Sequence, residues 1–427
     1  MVLVVIVFLI CLTIGMPVAF AIGISGTAFF LQHPELPFTM IAQLPVSQTQ
    51  RVPMLAIPLF IFAGNLMNAT GITERLVKLS TLLTGHMKGG LAQVSVVLST
   101  LMGGVSGSAT ADAAMESRIL GPGMLKRGYT RGYTASVIGF TSLITATIPP
   151  GIGIIIYGTV GEVSIGRLFA AGLMVGLIMM IVMMATVRVT AGVRGWKPER
   201  EKRASFREIM SSLGETVWAL VFPILLLVGI RFGLFTPSEV GAFACVYAIV
   251  VGVFVYREFT WERLKETLNT TIRDIGAIMF IISLSAIFAY GIPVDRVPQA
   301  LTSFITGVSV DANIVLLVII VFLVLVGMFM EGSVAILLLT PILLPMVETL
   351  GVDPVHFGLI MCSVITMGLL TPPIGISMYT VCSILECPTR EYLREFLVFL
   401  VAFLIQIGIL VFLPDVVLLI PRLLYGN

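Results

Sequence analysis

The sequence predicts an all-α polytopic membrane protein of two inverted repeats, each with a re-entrant helical hairpin and a broken helix, with about eleven full spans besides the two hairpins. Three observations carry this. The 427 residues are 58% hydrophobic and only 11% charged, with mean hydropathy +1.07, which excludes an ordinary soluble domain with a polar shell. The apolar runs are long, which argues helices over a barrel. The punctuation of residues 104–158 recurs in 327–381 at a constant offset of 223 residues: Gly104 falls on Gly327, Pro122 on Pro345, Gly128 on Gly351, and Pro149-Pro150 on Pro372-Pro373. Helices broken at matching places in two halves point to a binding site between them.

Taken in order, Met1 to Phe30 lacks a basic n-region and a small-residue cleavage site, so it reads as an uncleaved first span. Met54 to Asn68 is the second. Ile72 to Thr84 has a helical apolar period but is too polar to cross, and reads as an interfacial arm. Next come two limbs of 12 to 15 residues, Leu91 to Met102 and the stretch after Ser108 to Pro122, separated by the break Gly103 to Ser108. Neither limb can cross a core of about 30 Å, so they form a re-entrant hairpin. Tyr133 to Gly158 is long enough to span but is broken at Thr147-Ile148-Pro149-Pro150-Gly151, and Leu168 to Val187 follows as a full span.

Arg188 to Glu215 is the most polar stretch, and its Arg and Lys residues place it in the cytoplasm. Thr216 to Ile230 and Val240 to Tyr256 cross out and back, so the basic segment Arg257 to Arg273 is cytoplasmic too. Ile275 to Tyr290 crosses outward, Val294 to Gly307 is a second arm, and Ile314 to Val326 with Val334 to Met346 makes the second hairpin. Phe357 to Val381 is broken at Leu370-Thr371-Pro372-Pro373-Ile374-Gly375, and Phe396 to Ile420 is the last span. The first hairpin's mouth carries Lys126, Arg127 and Arg131 where the second carries Glu348 and Asp353, so the two mouths face opposite sides. The expected division is 1–215 for the first repeat (hairpin 91–124, broken helix 133–158), 216–231 for a connecting helix that permits the inversion, and 232–427 for the second repeat (hairpin 314–347, broken helix 357–381). The N-terminus is expected in the cytoplasm and the C-terminus outside.

The breaks carry the chemistry. Unpaired backbone polar groups cost several kcal/mol in hydrocarbon, so irregular chain at this depth must be buried in protein or line a cavity. Pro149 and Pro150 lack helical donors, which frees upstream carbonyls among Ile144 to Thr147 for a hard cation. Ser106, Ser108, Thr110, Thr145, Thr147, Ser333, Thr366 and Thr371 add hydroxyls. The N-terminal ends of half-helices suit a carboxylate. A kink at one Pro-Pro pair and self-bonded hydroxyls are the plain alternatives; four breaks in register argue against them. Asp112, Glu116 and Arg118 lie on the outgoing limb of the first hairpin, where a helical salt bridge, a wet surface and a functional role all remain open. Glu331, at the second tip, is read as binding a cation, organising the tip or meeting substrate. Asn65 reads as an interhelical hydrogen bond. The five cysteines show no metal or disulfide spacing, and His33, His86 and His356 offer no catalytic set. A net charge of +2 without a basic stripe gives no nucleic-acid signal.

With these features the sequence resembles the large membrane subunit, of DctM or SiaM type, of tripartite ATP-independent periplasmic (TRAP) transporters. The matching residues are Gly15-Met16-Pro17, Ile57-Pro58-Leu59-Phe60, Ala63-Gly64-Asn65, Ser106-Gly107-Ser108-Ala109-Thr110-Ala111, Lys126-Arg127-Gly128-Tyr129, Ile148-Pro149-Pro150, Thr236-Pro237-Ser238-Glu239 and Thr371-Pro372-Pro373-Ile374-Gly375. The resemblance implies a non-enzymatic, sodium-driven elevator in the bacterial inner membrane that takes up an organic acid such as sialic acid or a C4-dicarboxylate. It implies two partners, a small four-helix membrane subunit and a periplasmic substrate-binding protein. Carried over by position, one sodium site uses Ser106, Gly107, Ser108, Thr147, Pro149 and Gly151, and the other Gly327, Gly332, Ser333, Gly368, Thr371 and Gly375. Ser106, Ser108, Thr110, Glu331 and Ser333 meet substrate. Many relatives have Ser where this chain has Gly151, which offers backbone only. A stand-alone sodium/carboxylate carrier of the related broken-helix superfamily and an ion channel are the competing expectations.

Overall fold

The computed structural model of the chain describes residues 1–306, 311–372 and 374–426, and among them every regular element is helical. The first apolar block is not one span. Gly15 takes φ +84° and Pro17 precedes the next helix, so the chain reverses between α1 (Val2–Thr13) and α2 (Val18–Gln32), which pack together. The Met1 amino group meets Asp295, and His33 Nε2 lies 3.4 Å from the same carboxylate. Both ends of the pair therefore stand at one face. Met1 thus lies at the end of α14 (Trp261–Val294) opposite the basic segment 257–273, because the chain reverses after α1.

After α3 (Met40–Thr49), α4 (Ala56–Ala69) is the first full crossing, counted with the 3₁₀ turn Val52–Leu55. Gly71 at φ +74° starts the arm α5 (Ile72–Thr84), which buries Leu76 and Leu79 as its helical period requires. The first hairpin is α6 (Gly90–Gly103) and α7 (Ala109–Ile119), with α8 (Gly121–Lys126) at its mouth. The first broken helix is α9 (Arg131–Thr147) and α10 (Ile152–Val160), bent by 42°. The long α11 (Ile165–Arg194) and α12 (Phe206–Arg231) shorten the expected polar loop to 195–205, because a capping box of Ser205 and Glu208 starts α12 early. Next come α13 (Pro237–Val250), prolonged by a π-helical turn to Val255, then α14 and α15 (Val297–Thr306). The end of the second arm, Gly307, lies outside the described residues.

The second hairpin, α16 (Ala312–Phe329) and α17 (Gly332–Thr349), has limbs of 18 residues, longer than its apolar cores alone indicate. Asp311 caps α16, and Glu331 caps α17. The second broken helix is α18 (Pro354–Gly368) and α19 (Ile376–Ile384); Pro373, in its break, lies outside the described residues. Pro414 then ends α20 (Thr389–Phe412), followed by the short α21 (Pro414–Val417) and α22 (Leu419–Tyr425). Eight described helices are long and apolar enough to cross, or nine with the bent pair as one span.

The two repeats pack equivalently. α2 lies on α14 as α13 lies on α4, and α6 on α9 as α16 on α18. The outgoing hairpin limbs cross over, α7 onto α19 and α17 onto α10. The first hairpin's mouth is tied by Arg127 to Glu199, just beyond the C-terminal end of α11, at 2.5 Å. The second is joined by Asp353 to Arg167, at the start of α11, at 3.9 Å. A 30-residue helix is about 45 Å long, so the mouths open at opposite ends of the molecule. Tyr425 lies over Gly166, which sets the C-terminus at the same end as the N-terminus.

Candidate functional site

Each tip is built from a helix cap and a glycine that lets backbones meet. At the first, Ser108 caps α7, its Oγ accepting from Ala111 N at 3.4 Å. Gly107 takes φ +64°, and a Cβ there would lie 2.2 Å from the Pro150 carbonyl oxygen, so tip and break are in backbone contact. The Ser106 carbonyl faces Gly64 of α4. At the second tip, the Glu331 carboxylate accepts from Val334 N at 3.2 Å and from Ser333 Oγ at 3.1 Å. A Cβ on Gly368 would lie 2.2 Å from the Gly327 carbonyl carbon, so these helices also touch through their backbones. Ile374 N donates to Met328 O at 3.4 Å.

The tips converge on one chamber of about 130 Å³. Gly107, Ser108 and Thr110 line it from the first hairpin, Glu331, Gly332 and Ser333 from the second. Ala146, Ile152 and Gly153 enter from the first break, Thr366 and Leu369 from the second, and Ile278 of α14 closes the wall. The N-terminal ends of α7, α10 and α17 thus present amides and a positive dipole to the space. Glu331 is the one charged side chain in this lining. Its observed part in the tip is the N-cap, and its carboxylate also borders the chamber.

Of the other expected residues, Thr366 belongs to this lining, whereas Ser106, Thr147, Pro149, Gly151, Gly327, Gly368, Thr371 and Gly375 do not. The Thr147 hydroxyl donates to Leu143 O at 2.8 Å and that of Thr366 to Cys362 O at 2.6 Å, the self-bonding common for such residues. Thr371 Oγ1 lies 3.3 Å from Met367 O and equally from its sulfur. Ile144 O accepts from Ile148 N at 3.0 Å and is not free, and the Thr147 carbonyl faces Gly172. That leaves the carbonyls of Thr145 and Ala146, whose helical donors would be Pro149 and Pro150, joined by a cis bond. This oxygen-only set fits a hard cation. Gly151 caps α10 with backbone alone, and Gly375 at φ +28° opens α19.

Two groups escaped the sequence reading. Thr110 Oγ1 lies 2.7 Å from Ser377 Oγ, which joins the first hairpin to the second broken helix; at the repeat offset Ser377 matches Ile154, so nothing marked it. Ser95 and Ser99 face Asp112 and Glu116, and the shared four-residue spacing was the signal. Both carboxylates are buried, whereas Arg118 is exposed and forms no ion pair with either. Asn65 forms the expected interhelical bonds, donating to Thr271 Oγ1 and Asp274 Oδ2, each at 3.1 Å. It also borders a separate cleft of about 690 Å³ between α4, α5, α7 and α14, with Arg118, Glu258 and Arg263.

The family model described as "Tripartite ATP-independent periplasmic transporter, DctM component" matches residues 5–416. The sialic acid TRAP transporter large permease protein SiaM of Vibrio cholerae is 32% identical over 412 residues, 96% of each chain. The C4-dicarboxylate TRAP transporter large permease protein DctM of Pseudomonas aeruginosa is 32% identical over 402 residues, 94% of each. The isethionate TRAP transporter permease protein DctMQ of Oleidesulfovibrio alaskensis is 31% identical over 409 residues; the chain spans 64% of its length. Among solved structures, the YdaH transporter of Alcanivorax borkumensis shares the fold, with TM-score 0.59, 14% identity and 86% coverage of each chain.

Proposed function

Because this chain belongs to the DctM component family of tripartite ATP-independent periplasmic transporters, we propose that it is the large permease subunit of a sodium-coupled uptake system for a small organic acid. The observation that carries this is the single chamber shared by both hairpin tips, both broken helices and α14. Three helix N-termini with Ser108, Thr110 and Ser333 suit an anion's oxygens. Glu331 beside them repels an anion unless a cation enters with it, which supports symport. Sodium as co-substrate is assigned to Ser106, Gly107 and Ser108 with the Thr145–Gly151 break, including Thr147 and Pro149, and to Gly327, Gly332 and Ser333 with Gly368, Thr371 and Gly375. Sialic acid, C4-dicarboxylates and isethionate name the relatives' cargo, and their shared chemistry is a compact organic anion.

The hairpins and broken helices form the moving body of an elevator, and α4, α13 and α14 belong to the scaffold. The wide cleft lies at the 257–273 end of α14, beside the outgoing limb of the first hairpin, which supports an arrangement open toward the cytoplasm. In this reading the basic segments lie inside a bacterial inner membrane, both chain ends lie in the periplasm, and the repeats divide at 215 and 232 around the connecting helix. A separate small membrane subunit flanks the scaffold and a periplasmic binding protein delivers substrate. The test is uptake of a radiolabelled organic-acid panel by proteoliposomes with the small subunit, with and without binding protein and an inward sodium gradient. Uptake requiring every component is expected. Uptake by this chain alone would identify a stand-alone carrier and remove the partners.

A further inference from the structure

We propose that the buried Asp112–Glu116 cluster between α6, α7 and α9 binds one hard monovalent cation in addition to those of the two tip sites, adjoining the first of them, with which it shares Thr145. Asp112 is 1% exposed and Glu116 fully buried. Asp112 Oδ2 lies 3.0 Å from Ser99 Oγ and 2.6 Å from Thr145 Oγ1. Glu116 Oε1 lies 2.7 Å from the same Ser99 hydroxyl, and Oε2 2.5 Å from Ser95 Oγ, which in turn lies 2.9 Å from Thr141 Oγ1. Among the described residues neither carboxylate has a Lys, Arg or His ion-pair partner.

The cluster is rich in oxygen and poor in hydrogen. Ser99 has one hydroxyl hydrogen and two carboxylates within reach of it. Thr145 has one as well, and its oxygen lies 2.9 Å from Ser99 O besides Asp112. Asp112 Oδ1 is buried and has no hydrogen-bond partner at all. A proton placed on Oδ1 would have no acceptor, and one on Oδ2 would leave Oδ1 bare. A cation beside Oδ1 answers both the orphaned oxygen and the missing positive charge, since buried carboxylates persist when paired or bound to a metal. Carboxylate, hydroxyl and carbonyl oxygens without nitrogen or sulfur are the donors of a hard ion. The four-residue spacing of Ser95 and Ser99 on α6 meets that of Asp112 and Glu116 on α7, so the antiparallel hairpin assembles the cage as it forms.

The test is equilibrium binding of ²²Na⁺ to the full chain in lipid nanodiscs, with melting curves in sodium and in choline. Asp112→Asn and Glu116→Gln are each expected to bind one sodium fewer than the unsubstituted chain, and to lose part of its sodium-dependent rise in melting temperature. An unsubstituted chain that binds no sodium, or either variant folding cooperatively with the full sodium count, would overturn the proposal. Should neither variant fold, Ser99→Ala keeps both carboxylates and is expected to weaken one sodium at least tenfold; an unchanged isotherm would be equally fatal. The tip variants Ser108→Ala and Ser333→Ala separate this site from the coupling sites. A single sodium lost in Asp112→Asn but kept in both tip variants would leave this inference standing and remove the tip assignment.

Discussion

Gly368→Ala tests how the second tip is held against its broken helix. A Cβ at this position would lie 2.2 Å from the Gly327 carbonyl carbon and 2.5 Å from its Cα and oxygen. Non-bonded carbon contacts settle at about 3.5–4.0 Å, so α16 and α18 would have to part by about 1 Å. No flexible side chain can absorb the clash, because every atom met is backbone. Overpacking of this kind costs about 1–3 kcal/mol, and about 1.4 kcal/mol is a factor of ten in an equilibrium. The unfolding free energy of the purified chain should fall by that amount, and uptake should fall with it as the chamber loses its second wall. Gly408 on α20 has nothing within 4 Å of the place a Cβ would take, so Gly408→Ala is the matched control and should leave both measurements at or above the starting values. Wild-type stability and uptake in Gly368→Ala would refute the close backbone contact.

Two further regions of the fold can be tested by substitution. Thr110→Ala and Ser377→Ala remove the two ends of one hydrogen bond between the hairpin and the opposite broken helix, and a double-mutant cycle on stability should give a coupling of about 0.5–1.5 kcal/mol; strict additivity would show that the bond contributes nothing. At the start of α12, the Ser205 amide and Arg200 hold the Glu208 carboxyl below the usual carboxylate range. Its folded value lies below its unfolded one, so the cap is in force at neutral pH and is lost as pH falls below the ordinary carboxylate value and through the lowered one. Protection factors of the amides of residues 205–209, which allow for the slower intrinsic exchange in acid, should fall in that window, and in Glu208→Ala already at neutral pH. Unchanged exchange in that variant would dismiss the cap.

The architecture was legible where backbone chemistry leaves a mark on residue type. Gly and Pro at a fixed offset announced both breaks, and the offset persists in the folded chain, where α9 starts at Arg131 and α18 at Pro354. The arm α5 was legible because its apolar period has one face. The reversal at Gly15 to Pro17 was not, since hydropathy sums apolarity along a block and carries no direction. Ser108, Thr110, Glu331 and Ser333, nearest each cap, stand out in the sequence because caps and hydroxyls are rare in apolar surroundings, and they line the chamber. Ile278 and Ser377 were not, because their part depends on which helix lies opposite. The Asp112–Glu116 pair was noticed, but its setting depends on Ser95 and Ser99 across the hairpin, which only the folded limbs reveal.

The central claim is that the two hairpin tips travel together across a fixed scaffold and exchange access between the two membrane faces. All five native cysteines are buried, so single cysteines at Ser106 and Gly332 can be followed with a membrane-impermeant thiol reagent applied from either side. With sodium and substrate supplied, labelling from the outside and labelling from the inside should change in opposite senses at both positions as transport proceeds. Labelling that stays constant at both tips while uptake continues would contradict the elevator.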